Sequence, residues 1–213
     1  MRFVDLAHLI NEDITVFPGS KGPVIEDVGN IEHHGYAEKR LTLSSHHGTH
    51  IDAPCHLIKN GKSLDDFNID KFYGKGFLLD CRHLEGREIS LDFLKPFAEK
   101  IRAAQFLLLM SGWYKKWKSP AYNIDFPILS LEASRWLTKF RLKGIGLDSI
   151  SLDKIDSMDL PNHHIVLSSE ILIIENLTNL EELKKDDFSF QCFPLKIEKA
   201  DGSPVRAVGI IGS

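Results

Sequence analysis

Between Phe106 and Glu175 the chain alternates short apolar runs with segments of helical pattern, and this alternation restricts the fold more than any other feature of the sequence. Phe106 to Met110, Ile145 to Asp148 and Ile171 to Glu175 are short and apolar, as expected of buried strands. Ser130 to Phe140 carries Leu131, Trp136, Leu137 and Phe140 as an apolar stripe, and Pro161 to Ser168 opens with proline, which suits a first helical turn. Strand, helix, strand, helix, strand in that order makes parallel crossovers. Further strand candidates are Phe3 to Leu6, Arg40 to Ser44 and Gly76 to Cys81. Ser90 caps a candidate helix bearing Leu91, Leu94, Phe97 and Ile101, with Pro96 tolerated if the first turn starts late. Near the C-terminus, Phe193 to Ile197 and Val205 to Ile211 flank Asp201-Gly202, a turn dipeptide that predicts a hairpin with a longer loop. The expected fold class is α/β with a mixed sheet.

With 213 residues, 43% of them hydrophobic, the chain can bury one substantial core, and residues 1–213 are expected to form a single domain. A formal charge of -4 argues against nucleic acid as a partner. No run is long and apolar enough to span a membrane, and the first residues are charged where a secretory signal would be apolar, so the expected location is cytoplasmic. Cys55, Cys81 and Cys192 are widely spaced and fit free thiols in a reducing compartment.

The chemistry concentrates in His46-His47-Gly48-Thr49-His50-Ile51-Asp52-Ala53-Pro54-Cys55-His56. His46, His50, Asp52 and His56 share parity, so an extended chain points all four to one face. A straight strand would spread them over roughly 33 Å, too far for one ion, so the segment must bend, and Gly48 and Pro54 allow it. His50 and Asp52 are the natural chelating pair, and a bend at Gly48 brings His46 back toward them. Two imidazoles and a carboxylate suit zinc or manganese. The plainer alternative is an exposed strand decorated with histidines. His47 and Cys55 have the opposite parity and fall outside the site. A second candidate pair is His163 with Glu175, which follows four apolar residues at a strand end; on spacing alone the plainer reading, a surface glutamate capping a strand and a helix-start histidine, is the favoured one. The loop holding Trp113, Tyr114, Trp117, Tyr122 and Phe126 reads either as a lid or pocket wall or as aromatic packing beneath a loop.

On these residues the sequence resembles the cyclase family, which includes bacterial kynurenine formamidases and isatin hydrolases. The family pattern His-x-Gly-Thr-His-x-Asp-x-Pro-x-His is met from His46 to His56 without a gap, and Ser111-Gly112-Trp113, Gly146 to Asp153, Ile173 to Leu177 and Gly202 to Ala207 follow in family order. The resemblance implies a swivelling β/β/α domain in a homodimer. It implies that His46, His50 and Asp52 bind one metal, and that Asp52 bridges to a second, also held by His163, with Glu175 across the pair. Two Zn2+ ions are expected, with Mn2+ possible in their stead, and His56 becomes the general acid/base rather than a ligand. The implied reaction is hydrolysis of a small amide, foremost N-formylkynurenine to kynurenine and formate in tryptophan catabolism. The alternatives are opening of a cyclic amide such as isatin, or a metal-binding protein without turnover. Phe17, Trp113 and Tyr122 are the expected substrate-pocket residues. Leu57 departs from the aromatic residue many members carry after the catalytic histidine.

Overall fold

The computed structural model describes residues 1–84, 88–183 and 187–212. Its strands are β1 (Arg2–Asp5), β2 (Val24–Gly29), β3 (Glu38–Thr42), β4 (His50–Asp52), β5 (Tyr73–Asp80), β6 (Glu88–Ile89), β7 (Phe106–Met110), β8 (Ile128–Leu129), β9 (Gly144–Leu147), β10 (Leu172–Glu175), β11 (Phe188–Gln191), β12 (Gly202–Pro204) and β13 (Val208–Ile211). The α-helices are α1 (Ile31–His34), α2 (Leu91–Leu94), α3 (Ala98–Ala103), α4 (Leu131–Leu137) and α5 (Pro161–Ser168).

Nine strands form one mixed sheet in the order β1-β13-β11-β5-β7-β9-β10-β4-β12. Its centre, β5-β7-β9-β10, is parallel, and the strands on either side run antiparallel. The parallel crossovers expected after Phe106 are therefore present, carried by α4 and α5. All five residues of β7 are buried, as a strand covered on both faces requires. Leu107 and Leu109 point into a cluster with Leu94, Ile101, Ala133, Leu137, Val166 and Leu167 of the helices. Phe106, Leu108 and Met110 point into the opposite cluster, where the curled sheet supplies much of its own cover through Val4, Phe188 and Phe190.

Two expectations are corrected. The helix from Ser90 starts at once, with Ser90 Oγ accepting from Phe93 N–H, so Pro96 falls inside it. Lacking an N–H and crowding the preceding turn, Pro96 sits in a 3-10 turn that separates α2 from α3. The C-terminal hairpin does not form as expected: Pro194 and Val205 make only an isolated bridge. Asp201-Gly202 is drawn onto β4 instead, where Ala53 N–H donates to the Asp201 carbonyl at 2.8 Å and Gly202 pairs with Asp52. Strand β3 lies outside the main sheet, paired with β2 in an exposed two-stranded ribbon. The three cysteines are free, with Cys81 and Cys192 buried. Among the described residues no helix is long and apolar enough to cross a membrane.

Candidate metal centre

Only His50 to Asp52 of the histidine-rich run is strand. Gly48 takes a left-handed φ of 65°, which turns the chain before β4, and a 3-10 turn over Pro54–His56 follows it. The shared parity therefore explains His50 and Asp52, while His46 and His56 reach the same place through turns on either side. Their rings lie 4.2 Å apart, centroid to centroid. His47 points elsewhere: its Nδ1 accepts from Ser44 N–H and its Nε2 reaches the Lys21 carbonyl at 2.9 Å.

Register brings in the distant carboxylate. Glu175 pairs with His50 and Ile173 with Asp52, and paired residues of antiparallel strands project to one face. Because Ile173 joins the helix-side cluster, His50, Asp52 and Glu175 open on the side that α5 covers. That helix supplies His163, whose backbone N–H, together with that of Asn162, donates to the two oxygens of Asp153 at 3.0 and 2.9 Å. One carboxylate thus caps the helix that carries the histidine.

Asp52 stands at the middle. Its Oδ1 lies 2.8 Å from His46 Nδ1 and 3.3 Å from His50 Nε2, and its Oδ2 lies 3.9 Å from His163 Nε2. Glu175 Oε1 is 3.2 Å from His163 Nε2, and its Oε2 is 3.4 Å from His50 Nε2. Among the described residues, His46 with His50 and Asp52, Asp52 with His163 and Glu175, and His46 with His56 and Asp201 each offer ligand atoms within 4.8 Å of one another.

Each imidazole is also tied from behind. His46 Nε2 meets Asp201 Oδ2 at 3.0 Å, His50 Nδ1 meets the Gly48 carbonyl at 2.9 Å, and His163 Nδ1 meets Asp153 Oδ2 at 2.8 Å. Such partners fix the tautomer and leave the other nitrogen facing the cluster, the arrangement typical of metal-ligating histidine. Asn176, held in the left-handed region, donates to the same Gly48 carbonyl and accepts from the Tyr122 hydroxyl at 2.8 Å.

Electrostatics agree. Burial alone would lower the His50 pKa, but Asp52 and Glu175 raise it to about 10. For His163, burial is likewise outweighed by Asp153, Glu175 and Asp52, which raise it to about 10. Burial opposes ionisation of Asp52, yet His50 and His46 hold its carboxyl well below the usual range. Two buried carboxylates thus demand positive charge, which protons on the imidazoles supply and a divalent cation can replace. Burial lowers the His56 pKa, against the pull of Asp52.

A cavity of about 290 Å3 opens over the cluster, lined on its apolar side by Val16, Phe17, Ile150 and Leu160. Phe17 is therefore at the cavity. Trp113 and Tyr122 are not among its lining residues: both are buried with Phe126 and Ile150 in an aromatic cluster, where Trp113 Nε1 donates to the Tyr122 carbonyl. The aromatic loop is thus packed beneath the site, and this corrects their assignment to the pocket wall. Sequence reasoning also missed Asp153, Asn176 and Asp201. The only signal for Asp201 was its glycine neighbour, which pointed to a turn.

The cyclase family model matches residues 4–154. A kynurenine formamidase from Bacillus anthracis is 31% identical over 208 residues, 97% of this chain and 96% of the relative. The chain belongs to the cyclase family. Another kynurenine formamidase, from Bacillus thuringiensis subsp. konkukian, is 32% identical over the same share of both chains. Among solved structures, isatin hydrolase A from Labrenzia aggregata, bound to benzyl benzoate, superposes with a TM-score of 0.88 at 24% identity and covers all of this chain. This likeness shows the fold, and the mixed α/β sheet expected of a cyclase-family chain is the one observed.

Proposed function

We propose that this chain is a metal-dependent hydrolase of a small amide, acting foremost as an arylformamidase on N-formylkynurenine. The observation that carries the reading is Asp52, with one carboxylate oxygen facing His46 and His50 and the other facing His163. In this reading His46, His50 and Asp52 would hold one divalent cation, zinc or manganese, and Asp52, His163 and Glu175 would hold a second. The donor set fits such ions: imidazole nitrogen and carboxylate oxygen, buried, with every proposed histidine ligand backed by an acceptor. A divalent cation at such a site polarises a carbonyl oxygen and acidifies water.

The chain's own groups do the rest. Phe17, Val16, Ile150 and Leu160 give the aryl ring an apolar wall and exclude water around it. As the carbon–nitrogen bond breaks, the carbonyl carbon keeps the oxygen gained from water. His56 gives a proton to the departing nitrogen; half-buried beside His46, it has its pKa lowered mainly by burial. The full-length similarity to kynurenine formamidases supports this substrate.

A second reading, opening of a neutral cyclic amide such as isatin, is favoured by one observation. No lysine or arginine is among the described residues lining the cavity, so a charged substrate finds no cationic partner there. Parallel assays of formate release from N-formylkynurenine and ring opening of isatin separate the two. Faster turnover of N-formylkynurenine supports the first reading, faster turnover of isatin the second, and inactivity on both overturns both.

A further inference from the structure

Asp201 reaches the cluster from outside the cavity. It precedes β12, and its carbonyl accepts from Ala53 N–H at 2.8 Å, so its backbone is pinned beside the residue that follows Asp52. The next residue, Gly202, lies against the His46 ring: a Cβ there would sit 2.8 Å from His46 Cε1 and 3.2 Å from Nδ1. The Asp201 carboxylate then meets both histidines with one oxygen, Oδ2 lying 3.0 Å from His46 Nε2 and 3.6 Å from His56 Nδ1. Ser45 hydrogen-bonds the same carboxylate. His46 is thus flanked by the Gly202 backbone, the His56 ring and Asp201, with its Nδ1 toward Asp52.

We propose that Asp201 is a positioning residue for the metal cluster, hydrogen-bonding the His46 ring so that Nδ1 turns inward and setting the same carboxylate oxygen beside His56. This rests on the reading of His46 as a ligand and His56 as the proton-transfer group. An ionised carboxylate that accepts from His46 Nε2–H fixes one tautomer and makes the other nitrogen a better donor to a cation. The same oxygen stands 3.6 Å from His56 Nδ1, so the anchor of the ligand also neighbours the proton-transfer group. A shift of β12 would move both together.

The test uses Asp201→Ala and Asp201→Asn in the full chain, with circular dichroism and thermal melts to verify folding. Zn2+ and Mn2+ are titrated against a chelating indicator, and the histidine tautomers of the metal-free proteins are read by nitrogen-15 NMR at a pH where the His46 ring is neutral. The expected result for Asp201→Ala is metal affinity weakened about 10–100-fold and loss of the single His46 tautomer. Asp201→Asn keeps an acceptor oxygen and should retain most of both. On whichever amide is turned over, kcat should fall further than KM changes. Wild-type affinity and an unaltered His46 tautomer in Asp201→Ala would overturn the proposal. So would loss of one whole metal equivalent with full turnover by the remainder, since Asp201 would then be a ligand of its own site. The metal and NMR measurements need no substrate, so an inactive wild-type protein would count against the proposed function and leave the test of Asp201 intact.

Discussion

His50 and Glu175 face each other across the β4–β10 pair, with His50 Nε2 3.4 Å from Glu175 Oε2. Residues distant in the chain meet here because the register is fixed on both sides of Asp52, by β10 and by β12. Glu175→Gln keeps the shape and removes the charge. Metal affinity is expected to fall tenfold or more, the order seen when the shell around a metal is disturbed. Titration against a chelating indicator reads this, and unchanged affinity would remove Glu175 from the site.

His56 is distinguished from the proposed ligands by its environment. Its pKa is lowered, mainly by burial, whereas His46, His50 and His163 are raised by neighbouring carboxylates against the effect of burial. His56→Ala should therefore retain bound metal while kcat drops by about 10²–10⁴-fold, the contribution typical of general acid–base catalysis. Metal analysis together with steady-state kinetics tests it. Loss of metal with no further catalytic defect would make His56 a ligand instead.

His8 gives a pH effect away from the metal cluster. It stacks on Trp117 at 4.1 Å with its Nε2 buried and without a hydrogen-bond partner among the described residues, and burial lowers its pKa to about 4. A histidine whose folded pKa is depressed stays neutral where the unfolded chain is already protonated. Stability is thus lost as pH falls from the unfolded value near 6.5 toward 4. After allowance for partial exposure, the loss is about 2 kcal/mol. His8→Phe keeps the stack and the backbone hydrogen bond to Thr49 but cannot titrate. Urea melts at pH 7 and pH 4.5 should show a smaller acid loss for this variant than for wild type, and equal losses would refute the assignment.

Much of the fold was legible because β7, β9 and β10 are apolar runs separated by helices with recognisable starts: Ser130 caps α4 and Pro161 opens α5. The ends of the sheet were less so. Strand β4 is three residues long and β12 contains both glycine and proline, so neither has a periodic signal, and their pairing is long-range. The same limit applied at the site. His46, His50, Asp52 and His56 were visible as one local pattern, and His163 and Glu175 through the family resemblance. Asp201 and Asp153 act through contacts 155 and 10 residues away in sequence, which no spacing rule foretells. Tyr122 was assigned to the pocket from its aromatic character. Its hydroxyl instead reaches Asn176, one step behind the Gly48 carbonyl that holds His50.

Two donor groups share Asp52. Metal analysis of the purified protein, followed by chelation and restoration with Zn2+ or Mn2+ during an N-formylkynurenine assay, tests it most directly. Two equivalents per chain, loss of hydrolysis on chelation and recovery on restoring metal are expected. Metal-free protein with full hydrolytic activity would contradict it.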